Sequence, residues 1–189
     1  MKIGIFGGTF DPIHVGHIHL AEQFLRKTAV EEVWFMVTPQ NPWKKDSHLS
    51  DDAYRYMLVS KAVEGKEGLV ASDYEFHLDK PSYSYKTLRS LRTDFPEHEF
   101  TLLIGADNWV KFGNWAEHEE ILAHHRVAVY PRTGYEINKD ELPEGVQLVD
   151  MELYDVSSTE IRRRLKEGLS VDEMVPQEIL GLIEQNYKT

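Results

Sequence analysis

Short apolar segments alternate along this chain with segments of helical periodicity. Five runs are rich in strand-forming residues, at 2–6, 32–37, 100–107, 126–130 and 146–151, and residues 69–79 form a further extended segment. Apolar residues recur at helical spacing within 17–27, about 51–64, 84–95 and 157–168, and a last helix is expected after Pro176. This order predicts an α/β protein with one doubly wound, mostly parallel sheet, covered by helices on both faces.

Composition limits the classes of protein to which the chain can belong. Its 189 residues predict a single domain over residues 1–189. A net charge of -11 argues against nucleic-acid binding, which needs clustered basic residues on one face. Neither a membrane span nor a signal-peptide pattern is present. Because the chain has no cysteine, disulfides and thiolate metal sites are excluded, and we expect a cytoplasmic protein.

A parallel sheet of this kind binds ligands beyond the carboxyl ends of its strands, where the strand order reverses. Four loops are therefore candidate site segments: GGTFDPIHVGH (7–17), TPQNPWKK (38–45), IGADNW (104–109) and VSSTEIR (156–162).

Two glycines follow the first strand directly. Gly7 and Gly8 let the backbone approach a ligand, and their amides together with the next helix N-terminus offer an anion site. A simple tight turn is the alternative interpretation. Neither GxGxxG nor GxxxxGK[ST] occurs, so the common dinucleotide and P-loop fingerprints are absent.

Two histidines follow this turn, three residues apart. His14 and His17 can point to one side of the helix start and donate hydrogen bonds to phosphate oxygens. Zinc binding is the rival interpretation, but no carboxylate nearby completes a ligand set. His19 is expected to face away and to be solvated.

The segment VSSTEIR near the C-terminus can form a second anion site. Ser157 or Ser158 can cap the helix, while the remaining hydroxyls, the helix N-terminus and Arg162 face an anion. An ordinary capping box is the alternative.

Together these two segments resemble the signature motifs of the nucleotidyltransferase superfamily, which implies a Rossmann-like nucleotidyltransferase fold. The resemblance implies that Gly7, Gly8, Thr9, Phe10, Ser157, Ser158 and Thr159 bind the nucleotide. It also implies catalytic roles on the phosphates for His14, His17, Lys44 and Arg162.

Within the superfamily, the chain resembles the bacterial nicotinate-mononucleotide adenylyltransferases. KPSYSYKTL (80–88) is similar to the family segment that receives the pyridine carboxylate, IGADNWVKFGNW (104–115) to its ribose and pyridine segment, and PRTGY (131–135) to its arginine loop. The substrate-binding residues so implied are Ser84, Tyr85, Gly105, Asp107, Trp115 and Arg132.

Three of these residues, Ser84, Asp107 and Trp115, also have a structural interpretation. Ser82 or Ser84 could cap a helix, Asp107 could do the same, Trp115 could belong to the core, and Trp109 is a competing stacking residue. The match is weakest at TPQNPWKK, where Trp43 stands in place of a family histidine.

The resemblance implies transfer of an adenylyl group from ATP to nicotinate mononucleotide, giving deamido-NAD and pyrophosphate. It also implies magnesium held mainly by the ATP phosphates rather than by protein ligands. Nicotinamide mononucleotide or phosphopantetheine as the acceptor, or a nucleotide-binding module without turnover, remain alternatives. The sequence leaves open whether the chain forms a homo-oligomer.

Overall fold

The computed structural model describes residues 1–41 and 49–187, and within them one parallel sheet organises the fold. Its six strands are β1 (Lys2–Gly8), β2 (Glu32–Val37), β3 (Leu69–Ser72), β4 (Glu99–Gly105), β5 (Arg126–Tyr130) and β6 (Val146–Leu148). They lie in the order β3-β2-β1-β4-β5-β6, and all five neighbouring pairs are parallel. The predicted α/β fold with a parallel sheet is confirmed.

The strand order reverses between β1 and β4. The chain builds outward from β1 to β3, then returns to the other side of β1 and continues through β6. The carboxyl ends of β1 and β4 therefore diverge into loops that leave a crevice between them. Gly7 and Gly8 end β1 and Gly105 ends β4, so the predicted glycines lie at this crevice.

The helices cover both faces of the sheet. They are α1 (Val15–Lys27), α2 (Asp52–Val63), α3 (Ser84–Asp94), α4 (Ala106–Trp109), α5 (His118–His124), α6 (Ser158–Lys166) and α7 (Gln177–Tyr187). Three-residue or four-residue 3-10 turns occur at Tyr74–His77, Phe112–Asn114 and Lys139–Glu141. No helix in the described part of the chain is long and apolar enough to cross a membrane.

Alternation along the strands divides the core into two clusters. Phe35 of β2 and Leu103 of β4 belong to the cluster beneath α1, α2, α6 and α7. Their neighbours Met36 and Leu102 belong to the cluster beneath α3 and α5. Because successive side chains of a strand point to opposite faces, a sheet with continuous apolar runs must be covered on both.

Two predicted strands end earlier than their apolar patterns. The extended segment predicted over 69–79 ends at Ser72 and continues as the 3-10 turn Tyr74–His77. The strand predicted over 146–151 ends at Leu148. The N–H of Val149 still donates to the carbonyl of Val129 in β5, and the backbone beyond it contacts α1 instead of the sheet. Lys27 donates to the carbonyl of Asp150, and Gln23 exchanges two hydrogen bonds with the backbone of Glu152.

A buried arginine joins the ends of two strands. The side chain of Arg55 in α2 is fully buried. It donates to the carbonyls of Thr9 and Thr38, which follow β1 and β2, at 2.7 and 2.8 Å, and to the carbonyl of Ser50 at 2.9 Å. Asp52 supplies the balancing carboxylate. Arg55 therefore fixes the loop after β1 relative to α2.

We expect Arg55→Met to destabilise the fold by about 3–5 kcal/mol, because it leaves buried carbonyls without donors and removes the partner of Asp52. The measurement is the free energy of unfolding in urea. Arg26→Met, at an exposed position of α1, is the matched control and should stay within about 0.5 kcal/mol of the unmodified chain. Equal stabilities for the two variants would contradict this role for Arg55.

Candidate active site

The glycine turn after β1 depends on a strained phenylalanine. Phe10 has a φ of 48°, in the left-handed region that non-glycine residues rarely adopt. Its ring is buried and packs 5.5 Å from Phe35 and 5.0 Å from His17, centroid to centroid. A Cβ on Gly8 would lie 3.2 Å from this ring, whereas one on Gly7 would meet nothing within 4 Å. Gly8 therefore accommodates the ring of Phe10, and Gly7 leaves the backbone open.

His14 and His17 form a reciprocal cap at the start of α1. The backbone N–H of His17 donates to Nδ1 of His14 at 3.3 Å, and the N–H of His14 donates to Nδ1 of His17 at 3.1 Å. The two rings stack with their centroids 3.6 Å apart. Because each Nδ1 acts as an acceptor, the proton of each neutral ring resides on Nε2. The structure thus brings both predicted histidines together as neutral Nε2–H donors.

The surroundings of this pair favour the neutral form. Burial, with a smaller contribution from the nearby positive charge of Arg132, lowers the pKa of His14 to about 4. Burial also holds the pKa of His17 well below its ordinary value, with smaller contributions from His14 and Arg132. At neutral pH both rings are therefore uncharged, and each has an Nε2–H group that is able to donate a hydrogen bond.

Gly16 gives the ring of His14 its space. A Cβ at Gly16 would lie 2.9 Å from Cε1 and 3.0 Å from Nδ1 of His14. Real Cβ atoms do not approach other atoms so closely, so any larger residue would displace the ring. The glycine between the two histidines is therefore part of the site, although it contributes no functional group.

The start of α6 is bound to the loop after β1. Ser157 caps α6 by accepting the N–H of Glu160, so the predicted serine cap is present. Ser158 donates to the carbonyl of Pro12 at 2.8 Å, and Nη1 of Arg162 donates to the carbonyl of Asp11 at 2.7 Å. Thr159 accepts a long contact of 3.4 Å from Nη2 of Arg162. The two sequence motifs are thus physically joined.

Asp11 is a second anchor of the same loop. Its buried carboxylate accepts a hydrogen bond from the hydroxyl of Tyr187, the last residue of α7, and another at 3.2 Å from the N–H of Ser50. Burial and this carboxylate raise the pKa of Tyr187 far above its ordinary value. The hydroxyl therefore stays protonated and holds the loop in place.

A cavity of about 270 Å³ lies at the crevice between β1 and β4. Six of the predicted site residues line it: Gly7, Gly8, Thr9, Ser84, Gly105 and Trp115. Thr38, Glu75, Ser82, Thr87, Asn108 and Tyr130 complete its polar wall. The cavity joins the glycine turn to the start of α3, as expected for a ligand with a phosphate at one end and a ring at the other.

The start of α3 has no side-chain cap. Tyr83 occupies the cap position without a side-chain hydrogen bond to the helix, so the interpretation of Ser82 or Ser84 as a cap is wrong. The Oγ atom of Ser82 is buried without a hydrogen-bond partner among the described residues. Uncapped N–H groups and the helix dipole together suit a carboxylate.

Arg132 connects the cavity region with the histidines. Its Nε lies 3.7 Å from the carboxylate of Asp107, and its charge acts on both His14 and His17. Neither Arg132 nor Asp107 lines the cavity. Tyr85 also lies outside the lining, where its ring stacks on that of Tyr83.

The two tryptophans after β4 take different positions. Trp115 packs 5.1 Å from the ring of Phe112 and also lines the cavity, whereas Trp109 packs on Phe112 and does not line it. The cavity thus favours Trp115 as the stacking residue.

The expectation of a solvated His19 is wrong. Its ring stacks on Tyr154 with the centroids 4.1 Å apart, and its Nε2 is buried 3.8 Å from a carboxylate oxygen of Glu152. The segment after β6 folds back onto α1 and covers this face of the helix.

Lys44 and Trp43 lie outside the described residues. Arg55 and Glu75 are polar residues of the site region that the motifs do not indicate, and only their burial in the folded chain reveals them.

Comparison with known proteins agrees with the family resemblance of the sequence motifs. The family model described as cytidylyltransferase-like matches residues 5–164. A protein of Bacteroides fragilis named probable nicotinate-nucleotide adenylyltransferase is 45% identical over 170 residues, covering 90% of this chain and 85% of that protein. A protein of the same name from Cytophaga hutchinsonii is 40% identical over 183 residues, covering 97% and 95%.

Solved structures share the fold. The nicotinic acid mononucleotide adenylyltransferase of Plasmodium falciparum, complexed with NaAD, superposes with a TM-score of 0.81 at 20% identity and covers 99% of this chain and 97% of that chain. Its complex with APC superposes with a TM-score of 0.80.

We expect the titration of His14 to lower the free energy of unfolding as the pH falls from about 6.5 toward 4. In the unfolded chain His14 titrates near 6.5, whereas burial lowers its pKa to about 4 in the folded chain. Between these values the unfolded state binds a proton that the folded state does not, so His14 alone should cost about 2 kcal/mol between about pH 8 and pH 5.

The measurement is the urea midpoint across this range, compared with His14→Asn. Asparagine keeps an acceptor for the helix cap but does not titrate. As the pH falls from about 8 to 5, the wild type should lose about 2 kcal/mol of stability relative to this variant, and an equal dependence in both proteins would contradict the assignment.

We expect Gly16→Ala to destabilise the protein by about 1–3 kcal/mol, because its Cβ would displace the ring of His14. Alanine is otherwise the better helix former by about 1 kcal/mol. Gly181→Ala in α7 is the matched control, since a Cβ there would meet nothing within 4 Å. Thermal melts of both variants test this, and stabilisation by Gly16→Ala would refute the close packing.

Proposed function

The chain belongs to the cytidylyltransferase-like family, and on that premise we propose that it is a nicotinate-nucleotide adenylyltransferase. Such an enzyme transfers the adenylyl group of ATP to nicotinate mononucleotide, giving deamido-NAD and pyrophosphate. The stacked pair of neutral histidines beside an open glycine turn is the observation that carries this proposal.

The reaction requires alignment and charge stabilisation, without a covalent enzyme intermediate. An oxygen of the mononucleotide phosphate attacks the α-phosphorus of ATP. A new P–O bond forms as the bond to the bridging oxygen breaks, and that oxygen leaves with pyrophosphate. A phosphate monoester is already a competent nucleophile, so the enzyme gains most by holding two anions in line and by stabilising the transferring group.

His14 and His17 suit this task because their Nε2–H groups are fixed in direction. The Nδ1 contacts hold each ring, and the stacking prevents rotation of one without the other. We assign these donors to the α- and β-phosphate oxygens. Donors that are held in place before the reaction lose little free energy by reorganising during it.

Positively charged side chains complete the proposed phosphate-binding region. We assign Arg162 to the leaving pyrophosphate, because two of its nitrogens already contact the backbone of Asp11 and the hydroxyl of Thr159, which hold the guanidinium beside the turn. Its remaining N–H groups are donors for phosphate. The resemblance assigns Lys44 to the same group. Arg132, close enough to act on both histidines, adds positive charge at the boundary with the cavity.

The cavity suits the pyridine end of the nicotinate mononucleotide. We propose that the pyridine ring stacks on Trp115 and that its carboxylate meets the uncapped start of α3 at Ser84. We assign the backbone of Tyr85 and Gly105 to the same end of the substrate, and Asp107 to the ribose hydroxyls.

Magnesium is expected to enter with ATP. The described residues contain no group of three or more histidine, aspartate or glutamate side chains arranged to hold a metal ion. We propose that magnesium is bound mainly by phosphate oxygens and water, the oxygen ligands that it prefers. When bound, the cation would neutralise part of the phosphate charge. We also propose a cytoplasmic location, since the cysteine-free chain needs no oxidising compartment.

The proposed activity is tested by pyrophosphate release with ATP, magnesium and one acceptor at a time. Nicotinate mononucleotide should give rapid turnover, and phosphopantetheine should give none. Turnover with phosphopantetheine or nicotinamide mononucleotide alone would keep the chemistry but overturn the substrate. No release with any acceptor would leave a nucleotide-binding protein without this activity.

We expect His17→Asn to lower kcat by about 100-fold, because asparagine keeps an acceptor for the backbone N–H of His14 but lacks the Nε2–H donor. Circular dichroism should show an unchanged fold. His124→Asn, at an exposed position near the end of α5, is the matched control and should retain full turnover. Near-normal turnover in a folded His17→Asn variant would refute the role of His17.

A further inference from the structure

A buried carboxyl group lies in the wall of the cavity. Glu75, in the 3-10 turn Tyr74–His77, is 6% exposed and lines the cavity together with Ser84 and Trp115. Its Oε1 accepts a hydrogen bond of 2.8 Å from the hydroxyl of Thr87. Its Oε2 is buried and makes no hydrogen bond of ordinary geometry within the described residues.

This arrangement disfavours a charge on Glu75. A buried carboxylate needs donors for both oxygens, and here one oxygen lacks them. Burial raises the pKa of Glu75 to about 7, against the opposing effect of the Thr87 and Thr38 hydroxyls. Glu75 therefore changes its charge within the pH range in which an enzyme works.

Glu75 is attached to the first turn of α3. Thr87, its hydrogen-bond partner, lies in that turn and also contacts the carbonyl of Tyr83 at the cap position. The proposed function places the substrate carboxylate at the same uncapped helix start. A negative charge on Glu75 would interact favourably with the positive end of the α3 dipole in place of a ligand. It would also repel a second carboxylate in the same small cavity.

We propose that Glu75 is a positioning residue that makes binding of the acid mononucleotide depend on pH. In its neutral form Glu75 leaves the start of α3 to the substrate carboxylate, and in its ionised form it opposes that carboxylate. An amide in place of the substrate carboxylate carries no charge and escapes this effect. The inference deepens the proposed function and rests on it.

Charged groups on the neighbouring elements are engaged with one another. Arg55 and Asp52 of α2 form an ion pair, and Lys80 lies 3.9 Å from Asp52. His77 and Asp73, beside Glu75 in sequence, face each other in solvent at 3.5 Å. The groups that act directly on the Glu75 carboxyl are two hydroxyls, so its own protonation dominates the local charge.

The test is the pH dependence of KM for two substrates, nicotinate mononucleotide and nicotinamide mononucleotide, at saturating ATP and magnesium. Both carry the same ribose phosphate, so the ratio of their KM values cancels the titration of that phosphate and of the histidine site. Where the amide turns over too slowly, its inhibition constant replaces KM. In the wild type the acid-to-amide ratio should rise about tenfold between about pH 6 and pH 9, with kcat little changed.

Three variants sharpen the test. Glu75→Gln should keep the low-pH ratio at every pH, because glutamine is a neutral mimic of the acid. Thr87→Val removes a hydroxyl that lowers the pKa of Glu75, so the midpoint should move to higher pH. Glu144→Gln, at an exposed position, is the matched control and should follow the wild type.

The outcomes separate the two proposals. Turnover of the acid mononucleotide with a flat wild-type ratio would overturn the role of Glu75 alone. A Glu75→Gln variant that rises in parallel with the wild type would do the same. Absence of turnover with either mononucleotide would overturn the proposed function itself. Should Glu75→Gln fail to fold, the role of Glu75 is still tested by the acid-to-amide KM ratio of the wild type and by the shift of its pH midpoint in Thr87→Val.

Discussion

The reciprocal hydrogen bonds between His14 and His17 determine most of what this site can do. The same two contacts begin helix α1, select the tautomer of both rings and aim both Nε2–H groups. Capping by serine or aspartate would start the helix equally well but would leave no donor beyond the cap. The backbone amides at the start of α1 thus orient the two histidine rings, and burial keeps both rings uncharged.

The loop that carries these histidines is held from three directions. Arg55 fixes it from α2, Ser158 and Arg162 from α6, and Tyr187 from the end of α7. Each contact is made to backbone carbonyls or to a buried carboxylate, so the loop has little freedom to relax. This explains how a non-glycine residue can keep a left-handed conformation at the turn, at a cost of about 1–3 kcal/mol that the surrounding contacts offset.

The sequence predicts the fold well because the strands are continuous apolar runs and the helices have clear serine, aspartate and glycine boundaries. It also brings the two histidines together, since three-residue spacing places them on one side of a helix start. It cannot indicate Arg55 or Glu75, because each depends on carbonyls and hydroxyls from distant segments. The expectation of a solvated His19 is wrong for the same reason, because its partner Tyr154 lies 135 residues further along the chain. The local sequence pattern identifies helices and strands, but it does not indicate polar contacts between segments that are distant in the chain.

The link between Tyr187 and Asp11 has a practical consequence for handling the protein. The end of α7 lies against the loop that carries the histidines, while Met1 contacts His98 at the opposite, amino ends of the central strands. An affinity tag or surface attachment at the amino end would therefore be remote from the crevice. The same attachment directly after α7 would adjoin Tyr187, whose hydroxyl holds the loop that carries the histidines. The length of the attachment would then affect every kinetic measurement.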